Sequence, residues 1–509
     1  MGKNIFNSVQ LEKPKKNVFD LSHDVKQSMK MGNLTPVLVT ECVPGDSFQI
    51  GCDSLIRFAP MVAPVMHRMD VSVHYFFVPN RLTWDNWEKY IVDANTPNPL
   101  PYINYTDDFT ADQKKFLDYM GVPPNTGTGI TQALNALPIA AYQAIYNEYY
   151  RDENLISEVD YTLSDGNNTG DVADLVKMRQ RAWEHDYFTA SLPFAQKGTA
   201  VDIPIGSIDS DVAVNWNLLN VPSTATNIEA YDAGGTLLNN YNVGNTAGVN
   251  TIGNPALLAK TSDLDIQPTT INDLRRAFRL QEWLEKNARG GTRYIENILM
   301  HFGVRSSDKR LQRPEYITGL KTPVIISEVL NTSATAEEAQ GNMAGHGVAV
   351  STGKYGNYFC EEHGYIIGIM SVMPQPAYQQ GIPKTYLKSD PLDFFWPSFA
   401  HIGEQPVTNN ELYAYTATAE DTFGYVPRYA EYKYQPSRVA GDFRTVLDYW
   451  HLGRIFATQP ALNQAFIECD PDQVERIFAV QDGEDNLYCQ IMHKIKAVRP
   501  MPKFGTPNF

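Results

Sequence analysis

Few groupings in this 509-residue chain combine the residue types and the spacing that chemistry requires. Gly347-Val348-Ala349-Val350-Ser351-Thr352-Gly353-Lys354-Tyr355 has the outline of a phosphate loop. Five residues separate its glycines where four are needed, and Tyr355 occupies the place of the magnesium-holding hydroxyl, so it reads as a strand and a turn. Cys360-Glu361-Glu362-His363 offers metal-ligand types, but consecutive residues of an extended segment point to opposite faces and do not converge on one ion. His185-Asp186 and the other histidines form no H-E-x-x-H spacing, and no G-x-S-x-G elbow exists. The expectation is a protein with no catalytic residues, no metal site and no cofactor.

Three concentrations of positive charge are candidates for contact with phosphate: Lys13, Lys15 and Lys16; Arg305, Lys309, Arg310 and Arg313; and Lys494, Lys496, Arg499 and Lys503. After Asp485 the chain has no acid at all, and Tyr488 and Phe504 stand near the last group as possible stacking partners for bases. The plainer alternative is that these charges are solvated or ion-paired. The net charge of −16 argues against free-standing nucleic-acid binding, so any such contact must be regional or helped by a basic partner.

The elements that must carry these residues look mainly β. The chain has 32 Pro and 34 Gly, which implies frequent turns, and 28 Tyr and 23 Phe, which supply broad packing or contact surfaces. Pro36 to Cys42 and Ser47 to Phe58 flank the turn Pro44-Gly45-Asp46, as a hairpin or a corner. From Met69 to Val78, Met69, Val71, Val73, Tyr75 and Phe77 share one face, opposite Asp70, Ser72, His74, Phe76 and Val78, and Pro79 ends the run. Further strands are expected at 323–330, 347–351, 365–373 and 487–498. In the last, Leu487, Cys489, Ile491, His493, Ile495 and Ala497 alternate with Tyr488, Gln490, Met492, Lys494, Lys496 and Val498.

Between Trp84 and Ala195 the period changes: Ile139, Tyr142, Ile145, Tyr146 and Tyr149 form a helical stripe, and the stretch reads as a strand-free insertion between two strands. A helix is expected from about Asp273 to Ala288, capped by Asn272 and ended by Gly290-Gly291. Residues 206–270 carry Lys260 as their only basic residue against six acids and are too polar for a large core of their own, so they read as a surface insertion dispensable for the core fold. The expected organisation is therefore 1–205 and 271–509 as one domain, interrupted by 206–270.

Strands near both ends with long excursions between them suit a jelly roll that pairs sequence-distant segments. The five cysteines form no C-x-x-C pair and read as reduced core thiols. The longest apolar run, Tyr365 to Met373, is too short to cross a bilayer, and the N-terminus lacks a signal peptide or myristoylation pattern, so no membrane insertion and a stay in the cytoplasm of synthesis are expected.

Longer strings carry a more specific signal. Phe19-Asp20-Leu21-Ser22-His23, Pro44-Gly45-Asp46, Phe76 to Leu82 with Trp84-Asp85, Asn147 to Leu155 and His185 to Thr189 are followed, in order, by Ala288 to Tyr294, Arg310 to Tyr316, Phe423-Gly424-Tyr425 with Arg428 to Tyr432, and Arg499-Pro500-Met501-Pro502. Through these blocks the chain resembles the major capsid proteins of the Microviridae, in particular the gokushovirus-like branch. The resemblance implies an eight-stranded antiparallel jelly roll of viral capsid type, with large, partly helical loop insertions. It further implies sixty copies closing into an icosahedral shell around circular single-stranded DNA, assembled in the bacterial host cytoplasm. Partners implied with it are the chain itself, the genome, a small basic DNA-packaging protein, minor spike or pilot and scaffolding proteins, and a host receptor reached by residues 206–270 as an exterior protrusion. The rival from another class is a jelly-roll enzyme or carbohydrate-binding module, and a metal-holding version would need clustered histidines on strands, which the chain lacks.

Overall fold

A computed structural model describes residues 14–92, 98–124, 129, 131–199, 201, 226–231, 237–243, 271–330, 343–353, 355–481 and 483–504. Eleven strands build the sandwich: β1 (Asn17–Asp20), β2 (His23–Met29), β3 (Thr35–Cys42), β4 (Ser47–Phe58), β5 (Met69–Pro79), β6 (Glu315–Pro323), β7 (Ile325–Leu330), β8 (Met343–Ser351), β9 (Gly356–Phe359), β10 (Gly364–Pro374) and β11 (Leu487–Arg499). The larger sheet runs β1-β11-β4-β8-β7, with β2 also on β11 and β9 also on β4; the smaller runs β6-β5-β10-β3, and all these pairs are antiparallel.

The last strand therefore lies beside the first ones, the distant pairing expected of a jelly roll. The count is not eight among the described residues, because the short strands β1, β2 and β9 share the flanks of longer ones. β3 belongs to the smaller sheet and β4 to the larger, so the turn between them is a corner rather than a hairpin. Gly45 takes φ +93° there, a value an L side chain resists, and the Asp46 side chain accepts the Val43 N–H at 3.0 Å to close the turn.

The alternation read in β5 and β11 decides where the core sits. Val71, Val73, Tyr75 and Phe77 of β5 meet Ile50, Ile56, Ile491 and Ile495 of β4 and β11 in one buried cluster between the sheets. Phe76 and Val78 point the other way and join Ile367 and Ile369 of β10 in a second cluster under the helices. The smaller sheet is thus covered on both faces, which is why β10 is buried along its whole length and reads as an unbroken apolar run.

The cover on that second face is the inserted stretch. α1 (Ala111–Tyr119) starts at a Thr110–Gln113 capping box, and α2 (Leu137–Ile145) continues as a π turn over Tyr146–Tyr150. Ile139, Tyr142, Ile145 and Tyr146 are buried, and the Tyr149 ring lies 4.7 Å from that of Phe76, so the stripe packs on the sheet. The insertion is not free of strands: Tyr102–Tyr105 pairs with Gln132–Asn135, a four-residue ribbon whose short runs carry little alternation to detect. Sequence patterning also missed β1, β2, β6 and β9, which are short or lie at sheet edges.

By internal contacts the chain separates into two compact units, residues 1–197 with 287–509, and residues 198–286. In the second unit the described residues form a hairpin, Thr226–Tyr231 with Leu237–Val243, and most of α3 (Ile271–Arg289), close to the helix expected from the sequence. The rest of the expected insertion 206–270 lies outside the described residues. All five cysteines are buried and unpaired. No helix among the described residues is long and apolar enough to cross a membrane.

Candidate functional site

Two of the three basic clusters come together, although nearly the whole chain separates them. β1 pairs with the end of β11, placing Asn17 opposite Arg499 and Asp20 opposite Lys496. The Asn17 side chain donates to the Met501 carbonyl at 2.7 Å, which ties the N-terminal arm to the segment bearing Lys503. The Lys16 ammonium donates to the Gly45 carbonyl at 2.6 Å and lies over the Phe359 ring. Arg499 approaches the same corner from the other side, 3.4 Å from buried Asp46 and 2.7 Å from the Glu41 carbonyl, with its guanidinium over the Phe48 ring.

Lys494 and Lys496 alternate outward from β11, on the face of the larger sheet away from the core. Lys494 is ion-paired with Asp53; this contact raises the lysine pKa, and together with the Gly353 N–H it lowers that of Asp53. Lys15 and Lys503 are exposed, and like Lys496 they have no carboxylate at salt-bridge distance among the described residues. Lys13 lies outside the described residues. The corner thus gathers Lys15, Lys16, Lys494, Lys496, Arg499 and Lys503 against Asp20, Glu41, Asp46 and Asp53, a surplus of positive charge in an acidic chain.

Of the third cluster, Lys309 and Arg313 are engaged within the fold, while Arg305 and Arg310 are exposed with no carboxylate at salt-bridge distance among the described residues. Lys309 pairs with Glu361 at 2.8 Å, while Arg313 lies over the Tyr149 ring, 3.4 Å from Asp308 and 3.6 Å from Glu148. Arg313 is nearly buried, so its charge serves to join the β6 entry to the α2 region.

The other chemical candidates disperse. Glu361 turns to Lys309 and Glu362 to Arg81, while the His363 ring sits edge-on to Trp87 and Cys360 is buried. Gly347 to Ser351 is the second half of β8, and the Gly353 N–H donates to Asp53 at 3.0 Å instead of facing a phosphate. Asp186 accepts the N–H groups of Phe188 and Thr189, closing a local turn. Among the described residues no group of His, Cys, Asp and Glu is arranged to hold a metal ion.

A cleft of about 550 Å³ beside β5 is lined by His74, Phe76, Tyr149, Tyr150, Trp183 and Tyr316 among others. His74 Nδ1 and the Tyr150 hydroxyl are 2.7 Å apart. Burial pushes His74 down to about 4, and burial likewise raises the Tyr150 hydroxyl above its ordinary value. The pair packs the Tyr150 ring beside His74 at 6.0 Å between centroids.

Reasoning from the sequence overlooked one surface, built by Leu392, Phe394, Phe395, Trp396 and Tyr432, all of them exposed. The visible signal was an apolar triplet between Pro391 and Pro397.

An antiparallel two-sheet sandwich of jelly-roll type, with exposed aromatic and charged groups on its outer faces, defines the class of protein. Comparison with known proteins identifies the family. The capsid protein (F protein) family profile matches residues 7–509, and the chain belongs to that family. It is similar to capsid protein VP1 of Chlamydia phage 1, 33% identical with 99% of this chain and 98% of the relative covered. Capsid protein VP1 of Bdellovibrio phage phiMH2K is 36% identical over 96% of this chain and 94% of its own. Capsid protein VP1 of Spiroplasma virus 4 is 31% identical with the same coverage. The resemblance to gokushovirus-like shell proteins is thereby borne out, and the chain is a structural component of a virion.

Proposed function

We propose that this capsid protein closes, in sixty copies, into a small icosahedral shell around a circular single-stranded DNA genome in the cytoplasm of a bacterial host. Full-length likeness to three phage capsid proteins is the observation that carries this reading. Each subunit then buries several unlike surfaces around the symmetry axes, and moderate contacts sum through their number.

The corner where the N-terminal and C-terminal basic residues meet is the proposed genome contact, through Lys15, Lys16, Lys494, Lys496, Arg499 and Lys503, with Lys13 preceding them. Because Asp53 and Asp46 already engage Lys494 and Arg499, the described cations without a carboxylate at salt-bridge distance, Lys15, Lys16, Lys496 and Lys503, carry most of the attraction for phosphate. One chain of charge −16 does not neutralise a polyanion, so a small basic packaging protein shares that task. Minor spike or pilot and scaffolding proteins complete the particle. A host receptor is the further partner proposed for residues 206–270.

The test is electron microscopy of particles formed when the chain is expressed with its virus's other proteins and genome. Uniform shells of sixty subunits containing single-stranded DNA are expected. A persistent monomer, or one that turns over a substrate, refutes the reading.

A further inference from the structure

The exposed aromatic residues around Trp396 form a rigid platform. Leu392, Phe394, Phe395, Trp396 and Tyr432 are 53%, 54%, 50%, 49% and 55% exposed, yet each is fixed from below. The Trp396 indole N–H donates to the Pro391 carbonyl at 2.9 Å, and Arg428 holds the Leu392 carbonyl at 2.7 Å. The Phe395 ring packs edge-on against buried Tyr429 at 5.0 Å. Lys388 threads beneath the surface, its ammonium 4.0 Å from the Tyr432 ring centre, 5.4 Å from that of Phe394 and 3.2 Å from Glu431. The Asp393 carboxylate accepts the Ser389 and Asp390 N–H groups at 3.0 Å, and the Asp390 carboxylate accepts that of Leu392 at 2.7 Å, which shapes the turn carrying Leu392.

From these observations we infer that the platform is a contact face for a second copy of this chain, which presents a different surface to it. The inference rests on the shell-forming reading above and names one of the faces that reading requires. Three physical arguments lead to this occupant. The first is area: at about 150–250 Å² per large side chain, five that are half exposed offer roughly 500 Å². That lies towards the upper end of the largest apolar patch on an ordinary monomer and supplies more than half of the ~800 Å² that one partner gives a standard interface.

The second argument is preorganisation. The rings are already held by hydrogen bonds and cation–π contacts, so docking costs little side-chain entropy, and Trp, Tyr and Phe are the side chains that anchor interfaces. The third is charge. Lys388, Arg428 and Lys433 are matched by Asp390, Asp393 and Glu431, so the face is neutral and lacks the cation surplus that a nucleic acid needs. A copy of the same chain is the neutral-tolerant partner that a capsid protein always meets, and the rotations of a closed shell bring unlike faces together.

The test expresses the chain with the other gene products of its virus, comparing native protein with Phe394→Ser/Trp396→Ser. The expected result is a variant subunit with an unchanged thermal midpoint and a particle yield, by sedimentation, at least tenfold lower. Normal yield of filled shells overturns the inference, and so does normal yield of shells lacking DNA, which would make the partner nucleic acid. If the double variant fails to fold, hydroxyl-radical footprinting of native protein decides: Trp396 should oxidise at least fivefold more slowly in particles than in subunits released by mild urea, and equal rates overturn the inference. Native protein that forms no shells at all instead refutes the shell-forming reading and takes this one with it.

Discussion

His493 gives the sandwich an acid sensitivity that can be worked out from its surroundings. Its side chain lies fully buried between the sheets, Nε2 2.9 Å from the Val37 carbonyl and Nδ1 3.0 Å from the Tyr75 hydroxyl. A carbonyl only accepts, so Nε2 carries the proton, and Nδ1 accepts from Tyr75. Burial pushes this imidazole down to about 4, helped by the His23 ring 5.2 Å away. In the unfolded chain it titrates near 6.5, so between pH 6.5 and 4 the unfolded state binds more protons. The stability contributed is complete above pH 6.5 and lost as pH falls to 4. At about 1.4 kcal/mol per pH unit the full loss is about 3 kcal/mol, of which about 2 kcal/mol has gone by pH 4.5. His493→Gln keeps a donor and an acceptor but no titrating proton. It should cost roughly 1–3 kcal/mol at pH 7 for imperfect hydrogen bonds, yet lose about 2 kcal/mol less than the native chain on going to pH 4.5. Urea unfolding of both proteins at pH 7.0, 5.5 and 4.5 measures this. Parallel losses in the two would refute the reasoning, because His493 would then take up no proton on unfolding.

Four further variants should have definite outcomes. Tyr142→Phe removes a hydroxyl that donates to the Leu34 carbonyl at 2.8 Å and accepts the Arg179 N–H at 3.1 Å, so unfolding should become easier by about 1–3 kcal/mol in urea titration. Gly32→Ala puts a Cβ 2.3 Å from the Cys469 carbonyl at a residue with φ +85°, and a thermal midpoint several degrees lower, or insoluble protein, is expected on scanning calorimetry. Lys496→Gln with Lys503→Gln should reduce packaged DNA per particle without changing subunit stability. Arg499→Gln should lower both, because it strips buried Asp46 of its cation; quantifying DNA in purified particles alongside urea midpoints separates the two effects.

Alternation in β5 and β11, the turn beside β4 and the apolar run of β10 placed these four strands within a residue or two, because each is long and has at least one face turned to a core. Alternation also identified the inward row from Leu487 to Ala497 and the outward lysines between them. What it could not supply was partnership. β1 has four residues and gains its order from β11, a neighbour almost five hundred positions away, and only that pairing brings Lys16 to the corner where Arg499 binds Asp46. β7 escapes simple alternation for a different reason: as an edge strand it leaves Ile325, Val329 and Leu330 exposed, so burial does not discipline its pattern. The platform at Trp396 was hidden because exposed apolar residues in an irregular segment have no period at all.

Those exposed edges and rings bear on why the chain suits a shell. A monomer of this size would ordinarily bury or break up Trp396, Phe394 and the β7 edge, since each invites unwanted association. Here the two sheets and the helical cover already give the subunit continuous internal cores, so the outer apolar groups are surplus to folding. Their retention makes physical sense only where neighbours of fixed geometry cover them. A closed assembly provides such neighbours for every copy, leaving none of these faces open to grow a filament. The electrostatics point the same way: acid distributed over most of the chain keeps free subunits apart, while the basic corner joining the two ends is a local exception, proposed above as the contact for a polyanion. Assembly then depends on contacts that outweigh like-charge repulsion, and that dependence is why neutral, preorganised aromatic faces, and not salt bridges, are the places to look for the shell's cohesion.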